Sequence, residues 1–265
     1  MTLEIIDKDI LKDVLDDMVW SFSRIGSFNT CKLKFYKKYI LGEQDENNFF
    51  AEYGSFIHSI LEKYSKGELE LFDLVGYYKD NYDMEVCLPA PPNKYVDLRE
   101  SYYKKGLKYF ENFEGFGDET VGTEQEIKLD LDLKDRQIKF IGYIDRLSKD
   151  EDGEFKILDH KSKAGFKTDE ELKEYLRQLY LYSIYVKNTY GKYPKTLQFN
   201  MFREGEQVVH SFDLKELEET LEWVRNTINN IYSETEFAPK TKEPENDFFC
   251  KYLCGFKGNC QKFDN

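Results

Sequence analysis

The sequence predicts an α/β domain in which helices flank a central mixed β-sheet. Three features indicate it: a helical pattern through the first part of the chain, three consecutive strand patterns, and a long helix followed by two more strands. Helices that alternate with strands in this way are typical of a sheet covered by helices. The 265 residues, of which 40% are hydrophobic, are enough to build a sizeable core.

Apolar residues at helical spacing occupy most of the first part of the chain. A break is predicted at 87–93, where clustered prolines cannot continue a helix. The spacing predicts helices at 7–18, 21–40, 54–66, 68–82 and 96–114.

The pattern then changes to strands. Between residues 126 and 134, apolar residues alternate with charged ones at a strict period of two, which predicts a half-buried strand. Further strands are predicted at 137–147, 154–161, 196–203 and 206–213, and helices at 169–190 and 214–233. The last thirty residues are predicted to be irregular.

Charge and hydropathy restrict the function. A net charge of −13 argues against a protein that coats DNA through one basic face. The mean hydropathy is −0.68, and no apolar run is long enough for a membrane helix. The N-terminus has no features of a signal peptide, so we expect a cytoplasmic protein with reduced thiols and no membrane partner. Lysine clusters at 32–38 and 161–167 are typical of solvated faces.

Two acids and a lysine follow the predicted strands. Asp145 is expected to end the second strand, while Asp159 and Lys161 lie two residues apart on the third. Because side chains alternate along a strand, Asp159 and Lys161 share one face and His160 points to the other. Converging carboxylates bind a hard divalent cation, and a nearby lysine assists phosphodiester hydrolysis. Taken alone, the same spacing also fits exposed salt-bridge partners.

Several motifs resemble one nuclease family in the same order along the chain. GYIDRL followed by KILDHKS resembles the core of the PD-(D/E)XK nuclease superfamily. The segment 21–40 resembles the opening helix of its RecB-like branch, Gly54–His58 its G-x-x-x-H element, and Gln178–Tyr182 its Q-x-x-x-Y motif. The closing cysteines resemble the iron–sulfur staple of AddB-type and CRISPR adaptation nucleases. The resemblance covers about residues 21–262.

The resemblance implies roles for individual residues at a metal site. His58, Asp145 and Asp159 would bind Mg²⁺ or Mn²⁺, together with the backbone carbonyl of His160, and Lys161 would be the catalytic lysine. The upstream acid would be Glu124 or Glu126, which parity along the strand cannot separate. For His58, a helix-surface pair with Glu62 is the competing interpretation.

The resemblance also implies two further sites. Gln178 and Tyr182 share a helix face that contacts DNA in relatives, although Tyr182 also fits a core position. A [4Fe–4S] cluster would be held by Cys31, Cys250, Cys254 and Cys260. The C-x3-C-x5-C spacing is one residue longer than the usual C-x2-C-x5-C, and four thiolates also suit zinc. Cys87 fits no pattern and is expected to be a buried apolar residue.

These observations predict one RecB-like nuclease domain over 1–265. It would comprise a helical part at 21–120, a catalytic sheet and helix at 121–213, and a C-terminal helix with the cysteine-rich staple at 214–265. N- and C-terminal segments would be joined by the four-cysteine cluster around a restriction-endonuclease-like core.

The predicted function is a Mg²⁺- or Mn²⁺-dependent deoxyribonuclease. It would act as an exonuclease on single-stranded DNA or DNA ends in recombination, repair, phage or CRISPR-type processing. A helicase, recombinase or integrase is the expected partner, because the chain has no Walker-type motif of its own. Two alternatives are an iron–sulfur DNA-binding module with vestigial nuclease activity and a zinc-stabilised structural protein.

Overall fold

The computed structural model describes residues 7–240 and 244–260, with the side chains of 244, 245 and 259 excepted. It confirms the predicted α/β class with a mixed sheet. The helices are α1 (Lys8–Asp16), α2 (Phe22–Thr30), α3 (Lys32–Phe35), α4 (Phe49–Ser65), α5 (Leu74–Glu85), α6 (Leu98–Glu111), α7 (Asp169–Tyr190), α8 (Leu214–Ser233) and α9 (Pro244–Phe248). Among the described helices, none has the length and apolarity to cross a membrane.

Five strands form one sheet in the spatial order β1-β2-β3-β4-β5. They are β1 (Glu119–Asp132), β2 (Gln137–Lys149), β3 (Phe155–His160), β4 (Thr196–Met201) and β5 (Glu206–Ser211). The β2–β3 and β4–β5 pairs are antiparallel, whereas β3 and β4 are parallel. A parallel pair needs a crossover connection, and α7 provides it between β3 and β4.

The predicted helix at 21–40 is wrong in one respect, because Cys31 interrupts it. Cys31 has extended backbone angles, φ −163° and ψ 112°, between α2 and α3. The chain then passes from α3 into a π-helical turn at Tyr36–Ile40. No proline or glycine stands at residue 31, so the local sequence contains no signal for the break.

Other differences concern the ends of elements. The helix predicted at 54–66 begins at Phe49, because the Asn48 side chain caps it by accepting hydrogen bonds from the amides of Phe50 and Ala51. The segment predicted helical at 68–82 starts with a 3₁₀ turn at Leu71–Asp73 before α5. Asp145 does not end the second strand, which continues to Lys149.

The C-terminal residues are also more regular than predicted. The described part contains α9, a π-helical turn at Phe249–Leu253 and a 3₁₀ turn at Lys257–Asn259. Residues 241–243 and 261–265, which the prediction also included, lie outside the described residues. The sequence does not predict these three helical segments, because each is at most five residues long and helical periodicity cannot be detected over so few residues.

The chain divides into two compact units by internal packing. The central unit consists of residues 48–127 and 143–217, and the terminal unit of residues 1–47, 128–142 and 218–265. The central unit buries an aromatic cluster from α4, α5 and α6, including Tyr53, Phe56 and Tyr78. In the terminal unit Phe237 stacks on Phe35 and Tyr36.

Candidate active site

Three side chains from different elements of the central unit converge on one point. His58 projects from α4, Glu124 from β1 and Asp145 from β2, and one ligand atom of each lies within 4.8 Å of the others. The Nδ1 atom of His58 lies 3.5 Å from Oδ2 of Asp145 and 4.0 Å from Oε1 of Glu124. Glu62 instead pairs with Lys66, so the structure does not support the helix-surface pair between His58 and Glu62.

The two candidate upstream acids lie in different surroundings. Glu124 has a positive φ of 47°, a left-handed conformation that costs a non-glycine residue about 1–3 kcal/mol. The left-handed residue interrupts the alternation of side chains along β1, so the usual rule that residues two apart share a face does not hold for Glu124 and Glu126. Glu126 accepts a hydrogen bond from the hydroxyl of Tyr143 at 3.0 Å. Only Glu124 of the two belongs to the group around His58.

Asp159 and Lys161 lie together at the end of β3. The Nζ atom of Lys161 is 2.6 Å from Oδ2 of the buried Asp159. The same amine donates to Oε1 of Gln178 at 3.2 Å. Lys161 lies one residue beyond the assigned strand, but its amide still donates to the carbonyl of Asn200 on β4. The predicted strand 154–161 is therefore one residue too long at each end, although the sheet bonding continues at Lys161.

His160 links these groups through its main chain. Its amide donates to Oδ2 of Asp145 at 2.7 Å, and its carbonyl pairs with Nε2 of His58 at 2.9 Å. When His58 Nε2 is the donor in this bond, the neutral ring has its lone pair on Nδ1, the atom that faces Glu124 and Asp145. The hydrogen bond therefore orients the histidine as a metal ligand.

The ring of His160 makes contacts that the sequence did not predict. Its Nδ1 accepts from the amide of Asn200 at 2.9 Å, and that amide also donates to the hydroxyl of Tyr109 at 2.7 Å. Gln207 donates to Oδ1 of Asn200 at 2.9 Å. Asn200 is fully buried, so these bonds satisfy its polar atoms. Thr196 and Gln198 are also polar in β4, so nothing in the sequence distinguishes Asn200.

Burial and neighbouring charges shift the pKa values of the site. Burial and the nearby Asp159 raise the pKa of Asp145 to about 7. Burial opposes the charge of His58, but Glu124 and Asp145 outweigh it and raise its pKa. Burial likewise opposes the charge of Lys161, yet Asp159 keeps its pKa above the usual value. Opposed charges crowded in a buried site are typical of a functional centre.

Comparison with known proteins agrees with this geometry. The profile of the PD-(D/E)XK nuclease superfamily matches residues 19–261. The chain belongs to this superfamily. Nucleases of the superfamily use divalent metals, and the group of His58, Glu124 and Asp145 is able to bind one.

Two curated relatives match this chain over part of its length. An uncharacterized protein of Rickettsia typhi (strain ATCC VR-144 / Wilmington), RT0391, is 29% identical over 142 residues, which is 48% of this chain and 16% of that protein. An uncharacterized protein of Rickettsia felis (strain ATCC VR-1525 / URRWXCal2) is 27% identical over 142 residues, 48% of this chain and 17% of its own. The matched region is thus a small part of these relatives.

One solved structure aligns along nearly the whole chain. The crystal structure of SSO0001 aligns with 96% of this chain and 95% of its own, at 13% identity and a TM-score of 0.41.

Helix α7 places the two residues of the Q-x-x-x-Y motif beside the catalytic lysine candidate. Gln178 accepts from Lys161 and donates to the hydroxyl of Tyr182 at 3.0 Å. Tyr182 is 5% exposed, and its burial raises the pKa of its hydroxyl. Tyr182 is therefore a core residue whose hydroxyl bonds to Gln178, as the core interpretation expected, and the DNA contact of these two residues stays a prediction.

The lysines predicted as solvated clusters are mostly ion-paired. In the terminal unit Lys34 and Lys38 share the carboxylate of Asp45, at 3.0 and 2.9 Å. In the central unit Lys163 pairs with Glu171. These pairs neutralise much of the positive charge that would otherwise attract a phosphate backbone.

The four cysteines of the predicted cluster all belong to the terminal unit. Cys31 lies at the break between α2 and α3, Cys250 is buried in the π-helical turn, and Cys254 and Cys260 follow it with partial exposure. Cys31 acts electrostatically on Cys254, whose pKa is raised mainly by burial. Among the described residues, no three thiol sulfurs lie within 4.8 Å of one another.

Cys87 lies outside this group, in the central unit. The prediction that it is buried is wrong, because Cys87 is exposed and its thiol lies 3.6 Å from Oε1 of Glu52. It follows α5 at the start of the proline-rich break, where the chain runs along the surface.

Proposed function

We propose that the protein is a Mg²⁺- or Mn²⁺-dependent DNA exonuclease of the RecB-like branch. The observation that carries this proposal is the convergence of His58, Glu124 and Asp145 in the same unit as Asp159 and Lys161. Superfamily membership supports a metal-dependent nuclease, and the geometry supplies a site for the chemistry.

The donor set fits a hard divalent cation. Asp159 is buried and the neighbouring Asp145 side chain is 10% exposed, and their mutual repulsion would be relieved by a cation between them. His58 and Glu124 complete a mixed imidazole and carboxylate set. The carbonyl of His160, a ligand that the family resemblance implies, would have to exchange its hydrogen bond with Nε2 of His58 for the metal. A bound cation would supply Lewis acidity to the scissile phosphate and to the attacking water.

The protein's own groups would position the reactants. Lys161 remains charged next to Asp159 and is aimed by its bond to Gln178, so it is able to orient water and offset charge on the phosphate oxygens. Gln178 is in turn held by the buried Tyr182. This arrangement fixes the lysine before substrate arrives, which favours in-line attack at phosphorus.

Several observations favour a DNA end as the substrate. The net charge of −13 and the paired lysines leave little basic surface, so binding is expected to depend on a local groove beside α7. Gln178 and Tyr182 on that helix would contact the strand near the scissile phosphate. Linear single-stranded DNA labelled at either end should be degraded with Mn²⁺, whereas circular single-stranded DNA should resist. Equal cleavage of the circle would reject the exonuclease assignment and retain the nuclease.

We also propose that Cys31, Cys250, Cys254 and Cys260 bind a [4Fe–4S] cluster. The extended backbone at Cys31 and its electrostatic contact with Cys254 support a shared site. Structural zinc sites usually draw their cysteines from close pairs in the sequence, whereas Cys31 is remote from the other three, which favours an iron–sulfur cluster. Anaerobically purified protein should be brown, and a colourless, zinc-loaded protein would contradict the assignment.

The proposal also includes a cellular location and partner proteins. A cytoplasmic location fits five free cysteines, which stay reduced there. The chain spans about a sixth of the length of the curated relatives that it matches, so a helicase, recombinase or integrase partner is proposed from the RecB-like resemblance alone. A recruitment module with vestigial activity is less favoured, because Asp145, Asp159 and Lys161 are all present and assembled.

A further inference from the structure

The central unit contains a cleft of about 620 Å³ that is separate from the metal-binding group. Lys156 and Leu158 of β3 line it, whereas Asp159 and Lys161 do not. Because side chains alternate along a strand, the cleft lies on the face of the sheet opposite Asp159. Its other walls come from α6, the following loop and the turn between β4 and β5.

The cleft carries a surplus of positive charge. Lys105 and Arg203 both pair with the one carboxylate of Glu204. No carboxylate among the described residues lies within ion-pair distance of Lys108. Glu114 is the remaining acid in the lining, so four cations face two carboxylates in a chain whose net charge is −13.

The fourth cation, Lys156, is only partly neutralised. It pairs with Asp118, which at the same time pairs with the buried Arg146. The single carboxylate of Asp118 is therefore shared by two cations, Lys156 and Arg146. The guanidinium of Arg146 also lies 4.4 Å from the ring centre of Phe116, a lining residue, and so increases the positive potential on that wall.

Uncharged groups in the cleft suit a planar heterocycle. The rings of Phe113 and Phe116 line one side, 5.0 Å apart and nearly perpendicular. The amides of Gln198 and Gln207 line another side and are held in place, since Gln198 donates to Gln207 and Gln207 donates to Asn200. Aromatic rings stack on bases, and amides bond to base edges.

We propose that this cleft binds a nucleoside phosphomonoester. Lys108, which has no carboxylate within ion-pair distance among the described residues, would hold the phosphate, while Phe113 and the glutamine amides would hold the base. The ligand is either a free mononucleotide or the phosphorylated end of a strand, which present the same chemistry. This site goes beyond the proposed nuclease function, because binding there requires neither the catalytic metal nor cleavage.

Calorimetry on the full chain in EDTA tests the site without turnover. The probes are deoxyadenosine 5′-monophosphate, deoxyadenosine, inorganic phosphate and a 5′-phosphorylated trinucleotide. The monophosphate should bind more tightly than phosphate or the nucleoside alone. A trinucleotide that binds as tightly identifies a strand end as the source, and a much weaker one identifies the free nucleotide.

Matched variants locate the binding. Lys108→Gln should weaken monophosphate binding by about fivefold or more, as expected for one lost charge-assisted contact. Lys104→Gln, on the same helix but paired with Glu100 outside the cleft, should leave binding within about twofold. Phe113→Leu should weaken the monophosphate and leave inorganic phosphate unchanged.

The active site must be excluded as the origin of any binding. Asp159→Asn, in the metal-binding group, should bind the monophosphate as the wild type does. The proposal is overturned by undetectable binding at millimolar monophosphate, by equal effects of Lys104→Gln and Lys108→Gln, or by binding that changes only with Asp159→Asn. None of these results depends on whether the protein cleaves DNA.

Discussion

Replacing Asp145 by asparagine should stabilise the metal-free protein and abolish cleavage. The Asp145 side chain is 10% exposed and lies beside Asp159, and these two effects raise its pKa to about 7. Asparagine has nearly the same shape and retains an oxygen for the hydrogen bond from the amide of His160. The substitution removes the negative charge of the Asp145 carboxylate beside Asp159. It also removes one proposed metal ligand.

The size of the effect follows from the pKa. A carboxyl group titrates near 4 in the unfolded chain, and each pKa unit corresponds to about 1.4 kcal/mol. The raised pKa of Asp145 therefore costs the folded protein about 4 kcal/mol above pH 7. Because the folded state holds this proton more tightly, the free energy of unfolding falls as pH rises from about 4 to about 7 and is then constant. Between about pH 5 and pH 8, wild type should lose about 3 kcal/mol relative to Asp145→Asn.

Urea unfolding in EDTA at about pH 5 and pH 8 measures this difference. Asp80→Asn, an exposed position on α5, is the control and should match wild type at both pH values. Adding Mn²⁺ should stabilise wild type and have little effect on Asp145→Asn. The reasoning is refuted if Asp145→Asn is less stable than wild type at pH 8, or if their difference does not grow with pH.

Three further substitutions test other parts of the site and the cluster. His58→Ala should weaken Mn²⁺ binding, measured by electron paramagnetic resonance, while Glu62→Ala should not; stability lost with metal binding kept would make the histidine structural. Cys31→Ser should bleach the visible absorbance of anaerobic protein and lower its melting temperature, whereas Cys87→Ser should do neither; two coloured variants would contradict the cluster assignment. Asn200→Leu should weaken Mn²⁺ binding about tenfold by freeing the His160 ring, and unchanged metal affinity would remove its positioning role.

The sequence alone was enough to predict the fold class and the shared strand face of Asp159 and Lys161. Period-two alternation located the strands, and the two-residue spacing put Asp159 and Lys161 on one face. These inferences succeed because they rest on local backbone geometry. His58 and Gln178 were assigned to the site by the resemblance of their motifs to the nuclease family, and both lie on helices that reach it.

Features that depend on tertiary contacts were not predictable. The left-handed backbone at Glu124, which separates it from Glu126, has no local sequence signal such as glycine. The extended break at Cys31 and the exposure of Cys87 are likewise set by what surrounds each residue. Asn200 was not predicted, because it is one of three polar residues in β4 and its role depends on its hydrogen bond to the His160 ring on the neighbouring strand.

The most direct test of the central claim is metal-dependent cleavage by the wild type and Lys161→Ala. End-labelled single-stranded DNA is incubated with each protein in Mn²⁺, in Mg²⁺ and in EDTA, with Lys195→Ala, an exposed lysine of the same unit, as control. Wild type and the control should cleave only with metal, and Lys161→Ala should be slower by about 100-fold or more while binding Mn²⁺ as well as wild type. Cleavage by Lys161→Ala at the wild-type rate would contradict the assignment of the active site.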